Sequence, residues 1–538
     1  MLRQEGIARE PIDDREVVDD MVRRALRRLE GAELDILLNE CCFLEEKRLG
    51  QSNVAGDVAQ LKRLREVRRR LAWANEQELR TIVESIVRGY AAEIHGHFDL
   101  GTYANATRAL PAGLALVLGK QKPWAVLRQA MGGESSLATR VRCSGAVASF
   151  DRLVERGTCV LVPTHLSNLD SPVIGLALHQ AGLPPMIYGA GINLFNNWLL
   201  SWFMDHLGAY KVDRAKRHKL YKEVLKEYST MALERRWHSL FFPGGTRSRS
   251  GGLERQLKKG LMGTALEAYQ RNIQAGVDLP RLYFIPATIN YRLVLEAETL
   301  IEDHLQEAGR SRYIITDDEF ARPERVLQYV RNMLGLDDPI DVVFGSPIDP
   351  FGNPVNEDGD SLDPHGRPFD PAGYLLRDGA FVADPQRDRL YTGRLSEAIA
   401  SAFARETVLY ETHILAAAMH RRLEANHPSL DTFRRLLLGP ESRTLPHAEV
   451  EAEVALVQRA LCRLETRGEV RLGHGLADLT PSELRQRGEA TFGLYHERCA
   501  VHSDSGASVL ADPKLALYYA NRLAGYSLPP AGPAGMTG

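Results

Sequence analysis

Between about residues 150 and 350, short apolar runs alternate with stretches of helical periodicity. Strand-like runs fall at 159–163, 185–188, 209–213, 239–243, 282–289 and 340–345, and helical patterns cover 216–235 and 254–273. This alternation predicts an α/β fold with a central, mainly parallel mixed sheet, flanking helices and functional loops at the strand ends. The preceding 150 residues read as helical. Leu61, Leu64, Val67 and Leu71 share one helical face, and Lys62, Arg63, Arg65, Arg68, Arg69 and Arg70 crowd the rest. Residues 346–375 read as loop, with Asp-Pro-x-Gly turns beginning at Asp349, Asp363 and Asp370. Helical patterns return over 386–505. The chain thus divides into an N-terminal helical region (1–150), an α/β unit (151–375), a C-terminal helical region (376–528) and a flexible tail (529–538).

Composition narrows the class. Of 538 residues, 44% are hydrophobic and 25% charged, as in a globular chain rather than a disordered one. A formal net charge of -3 argues against nucleic acid as a partner. Six scattered cysteines form no CxxC pair, which fits a reducing cytoplasm. The first residues carry no apolar signal run, and no apolar stretch approaches the roughly 20 residues that span a bilayer. Membrane contact is therefore expected to be peripheral. The basic amphipathic face at 61–71 and the aromatic run at 194–203 are its candidate sources, though both patterns also suit ordinary packing. His95 and His97 lack a third ligand nearby, and the acidic run at 357–360 lacks calcium-loop spacing, so no metal site is expected.

The candidate chemistry starts at a β-branched run over Thr158–Pro163 that delivers His165 at its carboxyl end. Ser167 or Asn168 is placed to cap a helix carrying Asp170 in its first turn. A carboxylate five positions after a histidine can fold back onto one imidazole nitrogen and leave the other free to accept a proton. A second apolar strand opens into Pro243-Gly244-Gly245-Thr246-Arg247-Ser248-Arg249. Glycines let backbone amides approach an anion, and two guanidinium groups suit a phosphate. Arg214, after another strand, would stand on the same rim, with Lys258 and Lys259 adding positive charge. Phe284-Ile285-Pro286 reads only as a buried strand with an internal proline.

In this order and spacing, these stretches resemble the blocks of the glycerophospholipid acyltransferase superfamily. His165 and Asp170 match the first block, Arg214 closes the second, Phe242 to Arg249 match the third, and Ile285-Pro286 match the fourth. Flanking stretches at Leu37–Cys41, Gly101–Pro111, Gly345–Asp349 and Glu411–His413 look like the long bacterial glycerol-3-phosphate acyltransferases. The resemblance implies transfer of a fatty acyl group from acyl-CoA or acyl carrier protein to the sn-1 hydroxyl of glycerol 3-phosphate, the first step of phospholipid synthesis. No metal or tightly held cofactor is implied. His165 would be the base, oriented by Asp170. Arg214, Arg247 and Arg249 would hold the acceptor phosphate, and Gly245, Thr246 and Lys259 would complete the substrate-binding set. Amides of the third block would face the developing oxyanion, and the protein would sit peripherally on the inner face of the cell membrane.

The family usually has glutamate where this chain has Gly244. That departure keeps open acylation of dihydroxyacetone phosphate or lysophosphatidate, and a non-catalytic lipid-binding role. If glycerol 3-phosphate is the acceptor, restoring glutamate at 244 is expected to preserve or improve its use.

Overall fold

A computed structural model describes residues 14–51, 55–96, 141–192, 208–278, 280–308, 340–494 and 499–532. His97, the 101–118 stretch and the aromatic run at 194–203 lie outside them.

Seven strands form the central sheet: β1 (Val141–Gly145), β2 (Thr158–Pro163), β3 (Ile187–Gly191), β4 (Ala209–Val212), β5 (Ser239–Leu240), β6 (Leu282–Asn290) and β7 (Ile340–Phe344). Their order is β1-β7-β6-β2-β5-β3-β4. The pairings from β6 through β4 are parallel, and only β6–β7 is antiparallel, so the sheet is mixed but mainly parallel. Every residue of β2 and β6 is buried. The two-residue strand period then serves two cores. Leu161, Ile285, Ala287 and Ile289 face one of them, and Val160, Val162, Leu282 and Phe284 face the other.

The first core is covered by α5 (Val147–Arg156), α6 (Asp170–Gln180) and α9 (Ala297–Ala308). It continues into the C-terminal helices α11 (Glu411–Asn426), α12 (His447–Thr466), α13 (Pro481–Phe492) and α14 (Pro513–Ala520). The second core is covered by α8 (Gly260–Gln274) and α10 (Pro385–Glu406). The N-terminal helices α1 (Asp14–Arg28), α2 (Leu34–Leu49) and α4 (Glu76–Ile94) gather around α7 (Lys219–Glu234), and α3 (Ala55–Leu71) packs on α2. No helix among the described residues is long and apolar enough to cross a membrane.

Several elements depart from the sequence reading. β1 precedes residue 150 and belongs to the sheet, so the α/β unit starts earlier than its expected boundary. Arg142 and Ser144 interrupt the apolar signal there, and pairing with β7 supplies what local pattern does not. The helix expected over 254–273 begins only at Gly260, because Leu253–Lys259 runs irregularly beneath the glycine-rich loop. The 239–243 run is a strand for two residues only. The tail expected to be flexible from 529 is pinned at its start: Arg421 Nη2 donates to Pro529 O (2.7 Å) and Arg422 Nη1 to Gly532 O (2.8 Å).

Candidate active site

The parallel strands bring three carboxyl ends together. β2 delivers His165, β5 delivers the glycine-rich loop, and β6 delivers Tyr291. Pro286 is tolerated in the middle of buried β6 because its neighbour changes there. Phe284 pairs with Ile348 and Ala287 with Phe344, and the Pro286 carbonyl accepts from Gly345 N (2.7 Å).

His165 Nδ1 lies 2.8 Å from Asp170 Oδ2. The same oxygen accepts from the amides of Leu166 (2.6 Å) and Ser167 (2.9 Å), and Oδ1 accepts from the Tyr291 hydroxyl (2.7 Å). Asp170 is fully buried, and these donors compensate its lost hydration. With Nδ1 held by the carboxylate, Nε2 is the imidazole nitrogen left for proton transfer. Phe242 stacks on the ring at 4.3 Å between centroids and fixes its plane. Asp170 itself begins α6, and Leu169 occupies the cap position. Neither Ser167 nor Asn168 caps as expected. The Ser167 hydroxyl donates to Glu296 Oε2 (2.8 Å), and the Asn168 amide donates to Glu296 Oε1 (2.9 Å).

Glu296 is buried and ties two blocks together, because Arg247 Nη1 also donates to its Oε1 (3.2 Å). Burial raises its pKa, and Arg247 partly offsets that rise. Arg249 pairs instead with Glu307, which is more than half exposed. Gly245 adopts φ 73, a left-handed conformation suited to glycine, and a Cβ there would lie 2.6 Å from Lys258 Nζ. The lysine against this loop is therefore Lys258, whereas Lys259 Nζ lies toward Gly393 of α10. Thr246 is exposed at the loop tip. Arg214 follows β4, the edge strand. It shares the carboxyl rim with His165, but three strand spacings of about 4.8 Å separate β4 from β2, about 14 Å in all. Two amides of the loop are already committed, Gly245 N to Phe242 O (3.0 Å) and Ser248 N to His165 O (2.7 Å), which removes them as oxyanion donors.

Glu254 lies under this loop. As a residue it is half-buried, but its Oε2 is sealed from solvent and lies against Gly244. Its Oε1 accepts from the His165 amide at 2.6 Å. Desolvation pushes its carboxyl up to about 7, helped by the charge of Asp170, with the His165 amide, Arg522 and the Gly244 amide acting against the rise. Sequence reasoning missed Glu254, Glu296 and Tyr291. Tyr291 directly follows the strand that carries the fourth block, a signal that could have found it, whereas no spacing marks the two glutamates.

Residues 146–290, which hold the strands, the histidine and the glycine-rich loop, match the family model described as Acyltransferase. The chain's curated relatives are more specific in name. A stretch of 190 residues is 30% identical to the glycerol-3-phosphate acyltransferase of Haemophilus ducreyi, covering 35% of this chain and 21% of that protein. The enzymes of the same name from Aeromonas hydrophila (32% over 141 residues; 26% and 17% covered) and Pseudoalteromonas translucida (29% over 186; 34% and 22%) are similarly related. These alignments span about a fifth of the relatives' length and between 26% and 35% of this chain's. They do not carry the likeness over most of the chain that the flanking stretches suggest.

Proposed function

We propose that the protein transfers an acyl group from a thioester, acyl-CoA or acyl carrier protein, to the sn-1 hydroxyl of glycerol 3-phosphate. The observation that carries this reading is the His165–Asp170 pair beside an arginine-bearing loop, with the nearby serine hydroxyls committed elsewhere. Ser167 donates to Glu296 and Ser248 to the Gly252 carbonyl (3.1 Å). A base without a serine nucleophile suits direct attack by the acceptor. His165 Nε2 takes the proton of the acceptor hydroxyl as its oxygen attacks the thioester carbonyl. The carbon–sulfur bond then breaks, and the leaving thiolate takes the proton from the imidazolium. Asp170 stabilises the charge on the ring between these steps. Arg247 and Arg249 hold the acceptor phosphate, with Arg249 exchanging Glu307 for it. Arg214, Thr246, Gly245 and Lys259 are the remaining proposed contacts, of which Gly245 acts through the loop's shape. The reaction needs no resident metal or cofactor, and the protein works from the inner membrane surface.

The test is a radiolabelled glycerol 3-phosphate assay with both donors. His165→Ala should lower kcat by about 10² to 10⁴ without unfolding the protein, as loss of a general base does. Wild-type turnover by a folded His165→Ala protein, or no transfer by the wild type with either donor, overturns the reading.

A further inference from the structure

Gly245 needs glycine for its positive φ, but Gly244 does not, since its φ lies outside that region. What Gly244 lacks is room. A Cβ built there would lie 2.4 Å from Glu254 Oε2 and 3.1 Å from Glu254 Cδ. That carboxylate is not idle, because its other oxygen holds the amide of the proposed base at 2.6 Å. His165 is thus fixed at three points. Its ring nitrogen is held by Asp170, its carbonyl by Ser248 N, and its amide by Glu254. Of the three partners, only Glu254 is a group that a side chain at 244 would meet.

We infer that Glu254 is a positioning residue for His165, and that position 244 is glycine because the Glu254 carboxylate fills the space a side chain there would take. The inference rests on the reading of His165 as the base. It reverses the expectation that glutamate at 244 would be neutral or helpful, because two carboxylates would then compete for one site out of solvent. It also says how the site can be rebuilt. Two carbon–carbon bonds place a glutamate's Cδ about 2.5 Å from its own Cβ. A glutamate at 244 therefore has the reach to bring its carboxyl carbon near the point where Glu254 Cδ now lies, 3.1 Å from the built Cβ. The two positions are alternatives for placing one carboxylate.

The experiment is a cycle of Gly244→Glu, Glu254→Ala and the paired variant in the full chain. Acyl transfer, thermal unfolding and the rate of His165 carbethoxylation by diethyl pyrocarbonate, followed by peptide mass spectrometry, are measured on each. Each single change should lower kcat by about tenfold or more, the scale of losing a hydrogen bond to a charged group, with KM for the thioester little changed. The pair should return kcat to within about threefold of wild type, far above the product of the single losses. Losses that multiply in the pair, or a Gly244→Glu protein with wild-type kcat, overturn the inference. Should a single variant fail to fold, recovery of folding in the pair supports the exchange, and continued failure refutes it. If the wild type transfers no acyl group, the catalytic reading fails separately. His165 modification then decides: a severalfold change in each single variant, restored in the pair, supports positioning, and equal rates in all four proteins refute it.

Discussion

Arg247 and Arg249 stand two residues apart and look equivalent in the sequence, yet their partners differ in kind. Arg247 is paired with buried Glu296, which also holds Ser167 and Asn168 between His165 and Asp170. Arg249 is paired with exposed Glu307. Arg247→Lys should therefore lower kcat by about tenfold as well as raise KM for glycerol 3-phosphate, because lysine cannot reproduce a guanidinium fork. Arg249→Lys should raise that KM severalfold with kcat nearly unchanged. Steady-state kinetics with each substrate varied will separate the two, and identical profiles would remove the distinction. Glu254 gives a second residue-scale prediction. A carboxyl raised to about 7 holds its proton more tightly in the folded chain than in the unfolded one, where 4.5 is ordinary. Its stabilising contribution is complete below pH 4.5 and lost as pH rises through 7. Relative to Glu254→Gln, the wild type should lose about 3 kcal/mol of stability between pH 4.5 and 8. Denaturant unfolding across that range measures it, and parallel profiles would contradict the shift. His165 and Asp170 were legible because their pairing is local. Glu254, Glu296 and Tyr291 were not, because strand order rather than chain spacing brings them in.

At the scale of elements, the loop after β5 is finished by α14 and the turn that follows it. Gly251 adopts φ 75, and a Cβ there would meet the Tyr518 carbonyl at 2.1 Å. Asn521 Nδ2 donates to Ser250 O (2.9 Å), and the Tyr519 hydroxyl accepts from Val294 N (3.0 Å). Gly251→Ala should destabilise the protein by more than about 2 kcal/mol, adding a backbone clash to left-handed strain. Gly182 is the control, since its φ of 70 imposes the same strain in open space. Gly182→Ala should cost about 1–2 kcal/mol, and equal thermal midpoints for the two variants would count against the clash. The sheet strands were legible from their apolar runs, whereas β1 and the late start of α8 depend on contacts with distant elements.

Across the whole molecule, the basic helix read from sequence exists, but its apolar stripe is partly used. Leu61, Leu64, Val67 and Leu71 are half-buried, with α3 packed on α2, while Lys62, Arg63, Arg65, Arg69 and Arg70 are exposed and Trp73 at the end of the helix is 90% exposed. Vesicle binding should therefore be mainly electrostatic. Flotation should show the protein on anionic vesicles at low salt and largely released near 0.5 M salt, where the screening length falls to a few ångströms. Binding that is indifferent to salt would point to apolar insertion instead. The mixed sheet and the helical flanks were legible as a class, but the way the C-terminal helices reach back to the site was not.

That reach gives time a role. Asn521 joins the arginine loop 271 residues after the carbonyl it holds. During synthesis the strands, the base and its carboxylate are all present long before the partner that completes the loop. A chain still being made thus carries His165 and Asp170 before Asn521 can hold the Ser250 carbonyl, and the loop takes its final shape only after residue 521 has been added.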